Sequence, residues 1–381
     1  MRILQVVNIG FEAGGAEKSV RLITDGLRAR GHQVEVVATD MLADGHEIFA
    51  DHLVPSISGS APRRFAGYFW HGTAYRQVRE IVDRFRPDCV HLHTHGEFSP
   101  AVLPATAGRP RLLTVHGPED WTLNLLRWNL ASATGRGGLS AGDRARYAYL
   151  RFVQRPAYRA RLRHVDRILT PSRFFADSVA DDVGTARTHV LPNGIPRTAS
   201  PTPVRDSTHV LFVGRLEHVK GVDVLLRAFR QVVAEHPAAR LTVVGDGADR
   251  ARLEAENADL GVTFTGWLPA EGVAERVAAS SVVVLPSLWP ENFPTVALEA
   301  LQAGRALVAS RVGGLPELIG PDNGLLVPPG DPDALATALN MLLGRPEVLA
   351  GLGAGSAARA ARYDADTFLD LLEHHYEEVC A

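Results

Sequence analysis

At 381 residues the chain exceeds what one hydrophobic core usually supports, so two domains are expected, each large enough to bury an interior. Its 46% hydrophobic and 22% charged content is that of a soluble globular protein, and no run approaches the roughly 20 apolar residues that a membrane-spanning helix needs. The formal net charge of −3 hides an asymmetry: residues 1–200 carry 26 basic and 19 acidic groups and the remainder 14 and 24, so the two halves are expected to face different partners.

Met1 to Ile9 is a short apolar run with one charge, followed at once by Gly10, Glu12 and the Gly14-Gly15 pair, and reads as a first strand rather than a signal peptide. Ala16 to Arg30 carries Val20, Ile23 and Leu27 at helical spacing, Gly31 ends that helix, and Gln33 to Thr39 is the next strand, which makes a βαβ start. Strand-like runs follow at Cys89–His93 and Arg111–His116. From Asn193 to Ser207 the chain is rich in Pro, Gly, Ser and Thr without periodicity, the composition of a linker. Beyond it the alternation restarts, with strands at Val210–Val213, Leu241–Val244, Val262–Thr265, Val282–Leu285, Ala306–Ala309 and Leu325–Val327. Helices are expected between them at Val222–Glu235, Ala248–Leu260, Glu271–Ala279 and Pro294–Ala303. Strands apolar throughout and separated by helices imply parallel sheets covered on both faces, with ligands at the carboxyl ends of the strands. The expected division is 1–195, completed by a C-terminal helix at 362–381, and 196–361. Cys89 and Cys380, the only cysteines, lie far apart in sequence and offer neither a disulfide framework nor a thiolate metal site. A reducing, cytoplasmic setting is expected, with any membrane contact peripheral.

Thirty-eight of the forty basic residues are arginine, yet one of the two lysines, Lys220, lies in the loop from Gly214 and Arg215 to Gly221, just before a helix. A helix start favours an anion, an arginine grips phosphate oxygens bidentately, and a lysine supplies a compact mobile charge. Arg215 and Lys220 together are therefore read as a diphosphate grip, against the plainer reading of a solvated loop. Some seventy residues on, Glu291 and Glu299 flank the start of a helix in which Pro294 suits the first turn. Eight residues at helical rise separate the carboxylates by roughly 12 Å. Glycosidase carboxylate pairs stand about 5 to 9.5 Å apart, so a hydrolytic pair is not expected. The two ends of a nucleotide-sugar fit the spacing better, with Glu291 on the sugar and Glu299 on the ribose hydroxyls, against the plainer reading of a helix-start charge and a surface residue.

Gly214-Arg215 to Lys220-Gly221, Val244-Gly245-Asp246-Gly247, Leu191-Pro192-Asn193-Gly194-Ile195 and Glu291 with Glu299 resemble family 4 of the retaining glycosyltransferases over essentially the whole chain. The resemblance implies the GT-B fold, two Rossmann-like doubly wound α/β domains facing a central cleft, with acceptor on the first and donor on the second. It implies that Arg215 and Lys220 hold the donor diphosphate, that Glu291 meets the donor sugar and that Glu299 meets the ribose. It also implies that Gly14 and Gly15 form a first-domain loop closing on the donor, and that His116 matches the histidine beside the reacting sugar. One position departs from the pattern: the family often has glycine where this chain has Pro294, and proline lacks the N–H that would reach a sugar hydroxyl. Phe293, Thr295 and Gly214 are the further donor contacts the resemblance suggests.

The expected activity is transfer of a hexose from a UDP- or GDP-sugar to a hydroxyl acceptor, a lipid-linked glycan or a small molecule, with no cofactor and no metal. Rivals are an NDP-sugar isomerase on the same fold and a non-catalytic sugar-nucleotide binder. His91, His93 and His95 alternate along a strand, but no cysteine or carboxylate pair completes a metal site. Asp331-Pro332-Asp333 reads as a helix cap, and Gly245-Asp246-Gly247 lacks the third glycine of a dinucleotide fingerprint. Ten arginines and two acidic residues lie between Arg136 and Arg173, just after the apolar segment Trp121–Trp128. That combination suits either an anionic membrane surface or simple packing, and no nucleic-acid motif accompanies it.

Overall fold

The computed structural model describes residues 1–117, 141–197 and 208–381. They form two compact units, one built from the described residues up to Pro196 together with Ala365–Ala381, the other running from Arg197 to Asp364. Residues 118–140, which include the Trp121–Trp128 segment, and 198–207 of the expected linker lie outside the described residues.

In the first unit, strands β1 (Arg2–Ile9), β2 (Gln33–Thr39), β3 (His52–Val54), β4 (Cys89–Leu92), β5 (Arg111–Thr114), β6 (Arg167–Thr170) and β7 (Thr188–Val190) make one parallel sheet. Its order is β3-β2-β1-β4-β5-β6-β7. Alternation along β1 sends Leu4 and Val6 into a core shared with the helices Gly72–Phe85 and Arg173–Val183, while Ile3 enters a second core on the opposite face. There the helix Gly15–Ala29 buries Val20, Ile23, Thr24 and Leu27, and the C-terminal helix Ala365–Cys380 buries Phe368, Leu369, Leu372 and Tyr376. Arg30 clamps the two helices together, reaching Asp370 at 2.6 Å and Asp366 at 3.1 Å. Such exposed ion pairs contribute little, so the apolar stripe is what anchors the last helix. The same helix brings Cys380 to the carbonyl of Asp88, 3.7 Å away and next to Cys89, although the two free cysteines are far apart in sequence.

The second unit holds β8 (His209–Val213), β9 (Arg240–Val244), β10 (Thr263–Gly266), β11 (Val282–Leu285), β12 (Ala306–Ser310) and β13 (Gly324–Val327), parallel and ordered β10-β9-β8-β11-β12-β13. A doubly wound α/β architecture of seven and six strands results, as the alternation in the sequence predicts. The helix expected over Ala248–Leu260 is broken into an α-helix, Arg250–Glu256, and a 3-10 turn, Ala258–Leu260. Asn257 donates its side-chain amide to the Leu253 carbonyl at 2.9 Å, occupying the acceptor that a continuing helix would use.

Candidate active site

The strand order of the second unit sets β8 and β11 side by side at its centre, with β9 and β10 on one side and β12 and β13 on the other. Loops leaving the carboxyl ends of two such strands diverge, which opens a crevice where open α/β sheets bind ligands. The loop after β8 carries Arg215 and Lys220, and the loop after β11 carries Glu291. Leu288 N–H donates to the Val219 carbonyl at 2.9 Å and stitches the two loops together. Their approach requires Gly221, whose φ is +69° and whose added Cβ would stand 2.0 Å from the Pro286 carbonyl oxygen. From the other side Gly314 N–H donates to the Glu291 carbonyl at 2.7 Å. A Cβ on the neighbouring Gly313 would lie 2.1 Å from that same oxygen.

The backbone of Glu291 is therefore held from the Gly313-Gly314 turn, and its side chain is equally well defined. One carboxylate oxygen, Oε1, accepts from Lys220 Nζ at 2.7 Å, Ser287 Oγ at 2.6 Å and Trp289 Nε1 at 3.0 Å. The Lys220 ammonium also lies 5.3 Å from the centre of the Trp289 ring. Three donors converging on Oε1 leave Oε2 as the oxygen able to accept from a ligand. An ammonium has three N–H groups, so the bond to Glu291 leaves Lys220 two more for another anion.

A cavity of about 310 Å³ opens beside this pair, lined by Arg215, Glu217, His218, Val219, Ala248, Asp249 and Trp289. Arg215 is largely exposed and bonds Glu217 at 2.9 Å. The loop is fixed to its neighbour by Gly214 N–H donating to the Val244 carbonyl at 3.0 Å and Leu216 N–H to the Asp246 carbonyl at 2.8 Å. Gly221 is the N-cap of the 14-residue helix Val222–Glu235, whose first-turn N–H groups and dipole face the same loops.

Pro294 is the N-cap of the helix Thr295–Gln302, one step outside the first turn that the sequence suggests, because its φ of −67° combines with an extended ψ of 127°. Phe293 is buried, edge-on to Tyr363 with ring centres 5.4 Å apart. Its side chain therefore serves packing. Thr295 opens that helix and Glu299 lies half-buried within it. Of the predicted site residues only Arg215 lines the cavity; Lys220 and Glu291 pair behind its Trp289 wall, and Glu299 lies further along the helix.

In the first unit Gly14 is the extended N-cap of the helix that begins at Gly15. Glu17 is buried there and its pKa is pushed up by desolvation, with hydrogen bonds from backbone groups of Glu17 and Gly14 opposing the shift. The three alternating histidines are buried at the end of β4. His91 bonds Tyr376 Oη and Thr114 Oγ1, both at 2.7 Å, while His93 bonds Gln5 Oε1 and His116 Nε2, both at 3.0 Å. These partners occupy both ring nitrogens of His91 and His93. Desolvation lowers the pKa of His91 to about 3 and those of His95 and His116 to about 4, so the rings are neutral at pH 7. Asp331 caps the helix Pro332–Leu343, its side chain accepting from Asp333 N–H and Ala334 N–H.

Sequence reasoning assigned no role to Ser287, Trp289, Glu217 or Asp249. Trp289 lies in the same short segment as Glu291 and could have been singled out, since an indole N–H two residues from a carboxylate is a ready donor to it. Asp249 carries no comparable signal, because only the packing of the β9 loop on the β8 loop brings it to the cavity.

Two family models match the chain, Glycosyltransferase Family 4 over residues 13–198 and Glycosyl transferases group 1 over residues 207–345. A glycogen synthase of Mycobacterium tuberculosis is 31% identical over 92% of this chain and 86% of its own length. A phosphatidyl-myo-inositol mannosyltransferase of Mycolicibacterium smegmatis is 28% identical over 100% of the chain and 94% of its own length. The match to an exopolysaccharide phosphotransferase of Streptomyces coelicolor, 34% identical, takes in 51% of this chain and only 21% of that protein. Among solved structures, sucrose-phosphate synthase of Thermosynechococcus elongatus superposes with a TM-score of 0.76 at 23% identity, covering 99% of this chain and 98% of the other. Anabaena HepE in complex with UDP superposes with a TM-score of 0.70 at 20% identity, covering 99% and 100%.

Proposed function

The chain belongs to glycosyltransferase family 4, and from that premise we propose that it moves a hexose from a nucleoside-diphosphate sugar to a hydroxyl acceptor with retention of anomeric configuration. Its fold is that of the GT-B enzymes. The observation that carries the reading is the Lys220–Glu291 pair on the loops that follow the two central strands of the second sheet, 2.7 Å apart and bonded to Trp289, which lines a cavity together with Arg215.

In this reading the second unit binds the donor and the first the acceptor. Glu291 Oε2 accepts from a hydroxyl of the transferred sugar, while Oε1 stays in its cradle of three donors. Arg215 and the two remaining N–H groups of Lys220 take the diphosphate, assisted by the start of the helix Val222–Glu235. As the bond from the anomeric carbon to the phosphate oxygen breaks, the negative charge on that oxygen grows, and these cations stabilise it. The departing phosphate then takes the proton of the incoming hydroxyl on the same face of the sugar. Two protein cations supply the charge compensation, so we infer that no metal is required. Glu299 accepts from the ribose hydroxyls, which favours a ribonucleotide, with UDP or GDP the expected carriers. HepE, a structural neighbour of the same fold, is solved with UDP and with UDP-glucose.

For the acceptor we infer a hydroxyl borne on a lipid or held at a membrane surface. The helix Ala61–Phe69 buries none of its side chains and carries Arg63 and Arg64 with no acid in its first turn. Phe65, Trp70 and Phe152 are 55%, 45% and 71% exposed, and Tyr149 links the two segments through ring contacts with Phe65 and Phe69. Aromatic and arginine side chains on one exposed face suit an anionic interface. Among the described residues no helix is long and apolar enough to cross a membrane.

A thermal-shift panel of UDP, GDP, TDP and ADP with their common sugars tests the donor assignment. A bound ligand at 100 times its Kd adds about 2.7 kcal/mol of stability, so one nucleotide class is expected to raise the Tm selectively. A flat response across the panel would sink the assignment.

A further inference from the structure

The reading of His116 as a residue acting on the reacting sugar does not say which way its hydrogen bond runs, and the buried groups behind it settle that question. Thr24, inside the helix Gly15–Ala29, donates its hydroxyl to the Val20 carbonyl at 2.8 Å. Its oxygen is thereby the acceptor for Gln5 Nε2 at 2.7 Å. This orients the Gln5 amide with Oε1 towards His93 Nε2, 3.0 Å away. A carbonyl oxygen only accepts, so His93 Nε2 carries the proton and, in the neutral ring, His93 Nδ1 is the acceptor. His116 Nε2 lies 3.0 Å from that nitrogen and must donate to it. His116 is then the Nε2–H tautomer, with Nδ1 as its acceptor nitrogen. Gln5, Thr24 and His93 are all buried, which keeps water from re-orienting the chain.

We propose that Thr24, Gln5 and His93 are positioning residues that hold His116 in one tautomer, so that any substrate hydroxyl meeting its Nδ1 does so as a donor. The inference rests on the proposed glycosyl transfer for its substrate, though not for its proton arrangement. The opposite arrangement, with the Gln5 amide turned over, would reverse every bond as far as His116 and make Nδ1 a donor. Thr24 disfavours this, because accepting the turned amide would make its hydroxyl give up the bond to the Val20 carbonyl in order to donate to Gln5 Oε1. The groups that bear on the charge of this chain are few. His91 packs on His93 with ring centres 4.0 Å apart, His91 meets Tyr376 and Thr114, and His375 acts on His91 at longer range. Burial keeps His93 and His116 neutral well below pH 7, consistent with a relay of neutral rings.

The test is long-range proton–nitrogen correlation spectroscopy on the full chain labelled at histidine, with a His116→Gln variant to assign its signals. At pH 7 both His93 and His116 are expected as Nε2–H tautomers. A His116 ring protonated at Nδ1 would overturn the proposal. The second arm is kinetic. Thr24→Val removes the hydroxyl without changing side-chain volume, frees the Gln5 amide to turn, and is expected to mix the tautomers of His116. One hydrogen bond of this kind is worth about tenfold in kcat, with donor KM unchanged, and Thr24→Ser is expected to restore both tautomer and rate. A Thr24→Val enzyme with wild-type spectra and wild-type kcat would equally overturn it. Should no donor support transfer at all, the proposed function falls, while the wild-type spectra alone still confirm or reject the relay.

Discussion

Lys220 meets a carboxylate, an indole and a hydroxyl-bearing loop within one small volume, and both it and Glu291 have little exposed side chain. Removing one member of so enclosed a pair leaves the other charge poorly solvated. Lys220→Met is expected to lower kcat by about 10² to 10³, in line with losing one group that stabilises a developing anion. A double-mutant cycle with Glu291→Gln, read by urea unfolding, is expected to show coupling of about 2 kcal/mol between the two residues. Wild-type turnover in Lys220→Met would take the lysine out of the mechanism, and strictly additive unfolding energies would show the pair to be uncoupled. Glu299 makes a separate prediction. Glu299→Ala is expected to raise the donor KM about tenfold while leaving kcat close to wild type, and that penalty should vanish with a 2′-deoxyribose donor. An unaltered KM removes Glu299 from the ribose.

At the scale of elements, β4 and the turn after it concentrate buried titratable rings. His91, His93, His95 and the adjoining His116 all have pKa values depressed from 6.5 by desolvation, to about 3 for His91 and about 4 for His95 and His116. The unfolded chain binds protons to these rings below pH 6.5 and the folded chain does not. Stability is therefore present above pH 6.5 and lost as pH falls towards 4, by about 1.4 kcal/mol per pH unit for each ring. No described histidine of the second unit is buried. The first unit is thus expected to open at a higher pH than the second, which hydrogen exchange read peptide by peptide between pH 6.5 and 4 resolves. Simultaneous loss of protection in both sheets would contradict it. The same elements show what the sequence could and could not reveal. β11 is found at the predicted residues and β8, β9, β12 and β13 within one residue, because strands buried on both faces are written as unbroken apolar runs. The short strands β3, β6 and β7, of three, four and three residues, escaped. β6 reads Arg-Ile-Leu-Thr inside an arginine-rich stretch, and only its neighbours in the sheet make it a strand. Of the candidate site, Arg215, Lys220 and Glu291 were legible from residue type and loop position. The cradle around Glu291 was not, since it depends on two loops meeting at Gly221 and on a third pressing in at Gly313.

At the scale of the whole molecule, the stretch 1–200 that carries the basic excess also carries the exposed aromatics Phe65, Trp70 and Phe152. If these dock on anionic lipid, the protein floats with anionic vesicles at low salt, stays down with zwitterionic ones, and is released as salt rises. Phe65→Ser with Phe152→Ser is expected to abolish flotation while leaving the thermal shift with nucleotide intact. Failure to float on anionic vesicles at low salt would leave these side chains as isolated surface aromatics. The first unit also differs from the second in being discontinuous. Its sheet is covered on one face by Ala365–Cys380, a helix that follows the entire second unit in the chain. On the ribosome, Ile3, Leu112 and Leu169 are made long before the Phe368, Leu369 and Leu372 that cover them. At ordinary translation speeds that delay is on the order of 10 to 70 seconds. During it the newborn first half lacks the helix that completes one of its two cores, so the order of synthesis is expected to make the earlier-encoded unit the later one to become native.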